Sequence, residues 1–136
     1  MATLQLSTAV RNARLDSIEA TIGTSPVLKI LTGSAPANCA AAETGTVLAT
    51  LALPSDWMAA ASAGSKAKSG TWQDLSADAT GTAGYFRVYD NSGAVCGIQG
   101  DVTATGGGGA MTVDNTSFAV GQSFTVTAFS LTDGNA

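Results

Sequence analysis

The sequence predicts a mainly β fold: a β-sandwich or jelly roll of about seven or eight short antiparallel strands, preceded by one N-terminal helix. Three observations predict it. Turn residues recur at near-regular spacing after residue 23. Short runs rich in Val, Thr, Leu and aromatic residues lie between those turns. An apolar period of four is confined to the start of the chain.

The helix is expected over residues 8–22. Ser7 or Thr8 offers an N-cap hydroxyl. Val10, Arg14, Ile18 and Ile22 follow at spacing four with Leu15 beside them, so Arg14 interrupts the apolar stripe. Arg11 and Arg14 stand to Asp16 and Glu19 in a way that allows weak helical ion pairs. Gly23 ends the helix as a C′ residue. Residues 1–24 read as a helical arm, suited to packing on its own sheet or on a neighbouring subunit. Residues 25–136 read as a single β-sandwich domain.

Residues 26–32 form a β run closed by Gly33, and 34–43 form a loop with Pro36. Residues 46–53 form a second run, with Val47, Ala49, Leu51 and Leu53 expected in the core and Leu48 on the far side. Pro54 terminates it. Ser55 caps an expected short helix over 56–63, stopped by Gly64, with Trp57 and Met58 supplying its packing. Residues 65–70 read as a polar loop and 71–75 as a short strand. In 85–89, Phe86 and Val88 share one face, and Asp90-Asn91-Ser92-Gly93 then turns the chain into a hairpin partner over 94–102. Four glycines, 106–109, read as a flexible hairpin turn before a strand starting at Met111 and Val113. The last strand, 123–132, alternates through Phe124, Val126 and Ala128, then changes phase to Phe129 and Leu131. That change calls for a bulge or for cover on both faces.

Composition narrows the chemistry. There is no histidine, the usual general base near neutral pH and the commonest metal ligand. Charged residues make up 12%, about half the usual share, while the apolar 45% is ordinary. Much of the surface is therefore Thr, Ser, Gly, Asn, Gln or small apolar residues, weakly defended against association and suited to being covered by a partner. The net charge of −4 and six basic residues in four separate places argue against a nucleic-acid partner. Lys66 and Lys68, the densest basic pair, read as a solvated loop. The first 15 residues lack the apolar region of a secretory signal, and the Ala-rich stretch 35–42 is too short to span a bilayer. Synthesis and folding in the cytoplasm, with no membrane partner, is the expectation. Cys39 and Cys96 then read as two small buried hydrophobes, not a required disulfide.

The motifs that suggest catalysis or a cofactor fall short. The glycine run lacks the Lys and hydroxyl residue of a phosphate loop. Residues 90–93 hold oxygen ligands but not the alternating pattern or terminal Glu of a calcium loop. Asp74 and Asp78 could pair as glycosidase carboxylates, with Trp72 as their aromatic company. Trp57, Trp72, Tyr85 and Tyr89 could make a sugar-binding face, or serve as core or subunit contacts. The expectation is a protein that is not an enzyme and holds neither cofactor nor metal.

Four stretches resemble small structural proteins encoded in the head gene clusters of tailed bacteriophages and prophages. They are residues 6–15 (LSTAVRNARL), 53–58 (LPSDWM), 66–74 (KAKSGTWQD) and 129–136 (FSLTDGNA). The resemblance implies a virion component on the capsid surface, most like a capsid cement or decoration protein. It also implies a β-sandwich or jelly roll that sits on the shell as a dimer or trimer, bound to the major capsid protein. A tail or tail-fibre module that binds a host receptor or glycan is the alternative. The residues expected to make the contacts are Val10, Arg14, Ile18, Trp57, Lys66, Lys68, Trp72 and Leu131. Trp72 is the expected hot spot.

Overall fold

The computed structural model describes residues 3–136. It is mainly β with one N-terminal helix. Among the described residues the elements are α1 (Thr8–Ile22), β1 (Val27–Thr32), β2 (Val47–Ala52), β3 (Ser65–Ala67), β4 (Gln73–Asp74), β5 (Gly81–Tyr89), β6 (Cys96–Ala104), β7 (Met111–Val113), β8 (Ser117–Phe118) and β9 (Phe124–Thr132). The helix begins and ends where its local signals put it. The Ser7 hydroxyl accepts the Val10 N–H at 3.2 Å, and the Gly23 N–H donates to the Glu19 carbonyl at 2.9 Å.

The strands run β2-β1-β5-β6-β7-β9-β3, with β4 added to β9 and β8 to β5. Leu28 and Ile30 of β1 share one core with Met111 and Val113 of β7 and with Phe124, Val126 and Phe129 of β9. The sheet therefore curls over itself, as the two layers of a sandwich do. A chain of rings crosses that core. Trp57 lies 6.1 Å from Trp72, Trp72 5.6 Å from Phe129, and Phe129 meets Phe86 edge-on at 5.4 Å. Each such pair contributes about 1 kcal/mol beyond the area it buries.

Four expectations need correction. First, Leu48 is in the core, not on the far side. In the β1–β2 ladder Ile30 faces Ala49 while Leu31 faces Val47, so Leu48 is the extra residue of a bulge and the face changes there. Second, residues 56–63 are not a helix. Their backbone pairs outward instead: Ala59 N–H bonds the Ala67 carbonyl and Ser69 N–H the Trp57 carbonyl. Third, residues 65–67 of the expected loop are strand β3, paired with β9.

Fourth, not every pairing is antiparallel: β6 and β7 run parallel, Val102 facing Met111. The glycine run is therefore no hairpin turn. It folds the chain back along β6, where Gly109 N–H bonds Thr103 Oγ1 at 3.0 Å and Ala110 N–H bonds Asp101 Oδ1 at 2.9 Å. Gly106 and Gly108 take positive φ, and a Cβ on Gly107 or Gly109 would fall within 3 Å of Thr103. Parallel strands ordinarily need a dozen or more connecting residues, but here the pairing is only three residues long, so the compact loop 105–110 reaches back far enough. The phase change in β9 is a bulge: Thr112 faces Ala128 and Val113 faces Val126, which leaves Thr127 over. The Thr127 hydroxyl, turned out of register, meets those of Thr105 and Thr112 at 2.8 and 2.7 Å.

Candidate interaction surface

Helix α1 docks through polar groups more than apolar ones. Leu15 is its buried residue. Arg11, Asn12, Asp16 and Glu19, near Leu15 at helical spacing, reach the turn between residues 62 and 65, strand β3 and the C-terminal tail. Arg11 donates from Nε and Nη2 to the Asp133 carbonyl at 3.0 and 2.9 Å. Asn12 Oδ1 accepts the Gly64 N–H at 2.9 Å, and Asp16 Oδ1 accepts the Ala61 N–H at 3.0 Å.

Lys66 is the centre of this seam. It is 2% exposed, and its ammonium lies 2.7 Å from Asp16 Oδ1, 2.7 Å from Glu19 Oε2 and 2.8 Å from the Ala59 carbonyl. The ammonium donates to Asp16 and to the Ala59 carbonyl, and Glu19 adds a second carboxylate charge beside it. Burial pulls the Lys66 pKa down, but the bonds from Asp16 and Glu19 outweigh it and the net displacement is upward. The same contact with Lys66, helped by the Ala61 N–H, holds the Asp16 carboxyl below its ordinary range.

The flank of α1 next to this seam is more open. Val10 is 46% exposed, Arg14 is exposed and Ile18 half-buried. A groove of about 290 Å³ runs beside it, lined by Arg14, Leu15, Ser17, Ile18, Thr132 and Asp133. A second, of about 210 Å³, is lined by Ser17, Ile18, Thr21, Ile22 and Gly97. Ile18 stands between the two. Arg14 Nε faces Asp133 Oδ2 at 3.2 Å, at an angle that makes a charge contact without a hydrogen bond.

The structure thus divides the expected contact residues. Val10, Arg14 and Ile18 come together on the open side of α1. Leu131 is half-buried opposite Lys66 in the β3–β9 ladder. Lys68 is half-buried, with its ammonium 5.9 Å from the centre of the Trp72 ring and donating to the Gly70 carbonyl at 3.0 Å. Trp57, Trp72 and Lys66 must be withdrawn as surface contacts. Both tryptophans are fully buried, their indole N–H groups bonded to the Gly23 and Ser69 carbonyls at 3.0 and 3.1 Å. Lys66 is no solvated loop residue. Tyr85 and Tyr89 are buried as well, so the four aromatics form no sugar-binding platform.

Four exposed apolar residues, Leu4, Leu75, Val95 and Val120, carry no signal in the sequence pattern. The last three flank turns, where alternation gives no expectation. Leu75 and Val120 sit on adjoining loops tied by the Ala77 N–H to the Gln122 carbonyl and the Gly121 N–H to the Ala77 carbonyl.

A second polar cluster lies behind β5, where residues 34–46 cross the sheet as a strap. Arg87 is 2% exposed and donates to Gln99 Oε1 at 3.1 Å and to the Asn38 carbonyl at 3.1 Å. Tyr89 donates to Glu43 at 2.7 Å, and Lys29 pairs with the same carboxylate at 3.4 Å. The Tyr85 hydroxyl donates to the Thr44 carbonyl at 2.6 Å and accepts the Thr44 N–H at 3.0 Å. Burial, with Glu43 adding to it, pushes the Tyr89 pKa up. The groups of this cluster satisfy one another, and the arrangement acts as a clamp on the strap. In the 90–93 turn, Asp90 Oδ1 accepts the Ser92 hydroxyl at 2.6 Å, a contact that lowers the Asp90 pKa. Its carboxylate orders the turn.

No protein-family model, curated protein or solved structure matches the chain.

Proposed function

We propose that this chain is a virion structural protein: a capsid cement or decoration protein that binds the outer surface of a tailed-phage head. Its partners in this reading are the major capsid protein and further copies of itself, as a dimer or trimer, with neither nucleic acid nor membrane involved. It works by contact and not by catalysis.

The observation that carries the reading is the open side of α1. Arg14 and Ile18 line one groove and Ile18 a second, with the exposed Val10 one turn before Arg14, on a helix whose Leu15 side is committed to its own domain. The likeness of residues 6–15 to phage head proteins falls on this same helix. A cement protein needs a surface matched to its partner. Many copies on one rigid lattice then turn modest contacts into firm binding. A charge-poor surface supports close packing against another protein, and a net charge of −4 suits the outside of a DNA-filled shell better than its lining.

The test is to size the chain alone by ultracentrifugation and then to mix it with shells that lack it. Self-association and co-sedimentation with shells are expected, and Ile18→Asp should abolish both while leaving the fold intact by circular dichroism. A strict monomer that sediments with no shell overturns the reading. Binding to bacterial surface glycans would replace it with the tail-fibre module.

A further inference from the structure

We propose that Cys39 and Cys96 form a modification site: a pair of thiols that a small-molecule disulfide oxidises to an intramolecular cystine, fastening the strap of residues 34–46 to β6.

The strap's anchors place the pair. Gln99 Nε2 donates to the Pro36 carbonyl at 2.7 Å, and Arg87 Nη2 to the Asn38 carbonyl at 3.1 Å. Asn38 Oδ1 in turn accepts the Ala40 and Ala41 N–H groups at 2.9 and 3.0 Å, which fixes the backbone on both sides of Cys39. Further along, Tyr89 holds Glu43 at 2.7 Å. Cys96 is the residue opposite Tyr89 in the β5–β6 ladder. Cys39 is thus pinned over the face of the sheet that carries Arg87, Tyr89 and Gln99, and Cys96, paired with Tyr89, lies on that same face. Both thiols are free and half-buried. A zinc site would need about four ligands, and no cluster of three or more His, Cys, Asp and Glu exists among the described residues.

The chemistry balances with a disulfide RSSR such as oxidised glutathione. Cys39 loses its proton to solvent, and its thiolate attacks one sulfur of RSSR. The S–S bond of RSSR breaks, and its other half leaves as RS⁻ and takes up a proton, which gives RSH and a Cys39–S–S–R mixed disulfide. Cys96 then loses its proton and attacks the Cys39 sulfur, expelling the second RS⁻ as RSH. Two protein thiols are oxidised and one disulfide is reduced to two thiols. Burial first, and the Cys39 thiol second, push Cys96 up to about 12. It therefore holds little thiolate at neutral pH, which makes the oxidation slow there and faster as pH rises; the same steps balance with the two thiols exchanged.

The experiment uses the purified chain by itself, so its outcome is separate from that of shell binding. The chain is incubated with oxidised glutathione and followed by intact mass, peptide mapping and thermal melting. The expected product has lost the mass of two hydrogens and links the Cys39 peptide to the Cys96 peptide. Its Tm is raised by about 5–15 °C, reversibly with reductant. Either single variant, Cys39→Ser or Cys96→Ser, should stop at one glutathione adduct on the remaining thiol and form no intramolecular link. Two thiols that remain free, two stable glutathione adducts, or bonds only between chains overturn the proposal. An oxidised chain that melts no higher than the reduced one overturns the fastening.

Discussion

At Lys66 a charge lies inside the domain because two carboxylates and a carbonyl from two distant parts of the chain surround its ammonium. Removing it leaves Asp16 and Glu19 facing each other over the seam. Glu19 is partly solvated, so the penalty is smaller than for a fully buried orphan charge. Lys66→Met should lower stability by about 1–3 kcal/mol in urea unfolding at neutral pH. The pH dependence has a definite sign. Asp16 is held below its ordinary value, so its contribution is present above about pH 4 and lost as pH falls through the lowered folded value. Lys66 is displaced upward, so its contribution is present below about pH 10 and lost as pH rises through the raised folded value. Urea midpoints from pH 7 down to pH 2 should therefore fall less steeply in Lys66→Met than in the parent chain. Equal slopes would mean that the Asp16 contact is unimportant in solution. Nearby, Ala63 sits at φ 52° and Gly64 at φ 75°, between Ser62 and Ser65, which exchange both backbone hydrogen bonds. That is a two-residue turn of the type that favours Asn before Gly. Ala63→Asn should raise stability by about 0.5–1 kcal/mol, read as a higher Tm. Gly64→Ala should lower it, because a Cβ there would strike the Arg11 guanidinium.

Elements whose signals are local were legible in the sequence, and those set by distant partners were not. Helix α1 was legible because its cap hydroxyl, apolar spacing and terminal glycine all lie within its own length. The bulge in β9 was legible because the change of phase between Ala128 and Phe129 is written along the strand. Residues 56–63 misled because Gly64 serves equally as a helix terminator and as the second residue of a hairpin turn; both need positive φ. What decided between them was β3, which offers the segment a backbone partner, and the Trp57–Trp72–Phe129 ring chain, which needs both tryptophans inside. At the candidate surface, Val10, Arg14 and Ile18 were legible from helical spacing. The burial of Lys66 was not, since its partners Asp16 and Glu19 lie on another element and nothing in a short basic stretch announces them. The same ring chain makes Trp72 a fold residue. Trp72→Ala should lower stability by about 3–5 kcal/mol by opening a cavity against Trp57 and Phe129. Denaturant unfolding checks this. A loss below 1 kcal/mol would mean that the ring packing is not maintained in solution.

Across the described residues, the segment before α1 and the tail after β9 are fastened to each other. The Leu6 N–H bonds the Asn135 carbonyl at 2.7 Å, Arg11 grips the Asp133 carbonyl with two donors, and the Asp133 N–H bonds the Gly64 carbonyl at 3.0 Å. Helix α1 thus rests on a platform made by the 62–65 turn and the tail beyond β9. Deleting residues 133–136 removes that tail without touching any strand or the aromatic core. Each neutral bond contributes about 1 kcal/mol net, and those from a guanidinium more. The deletion should therefore lower stability by about 2–4 kcal/mol, with a local signature in hydrogen exchange. Amides of α1 should lose protection while those of β1 and β5, in the middle of the sheet, keep theirs relative to global unfolding. If α1 exchanges no faster, its hold comes from Leu15, Lys66 and the bonds of Asn12 and Asp16 to the 61–64 backbone. The same variant bears on the proposed shell contact. Val10, Arg14 and Ile18 present one surface only while the helix is held in place, and the groove lined by Asp133 exists only with the tail. A truncated chain that still binds shells at full strength would put the contact elsewhere, and Leu75 and Val120 would be the next exposed apolar residues to replace.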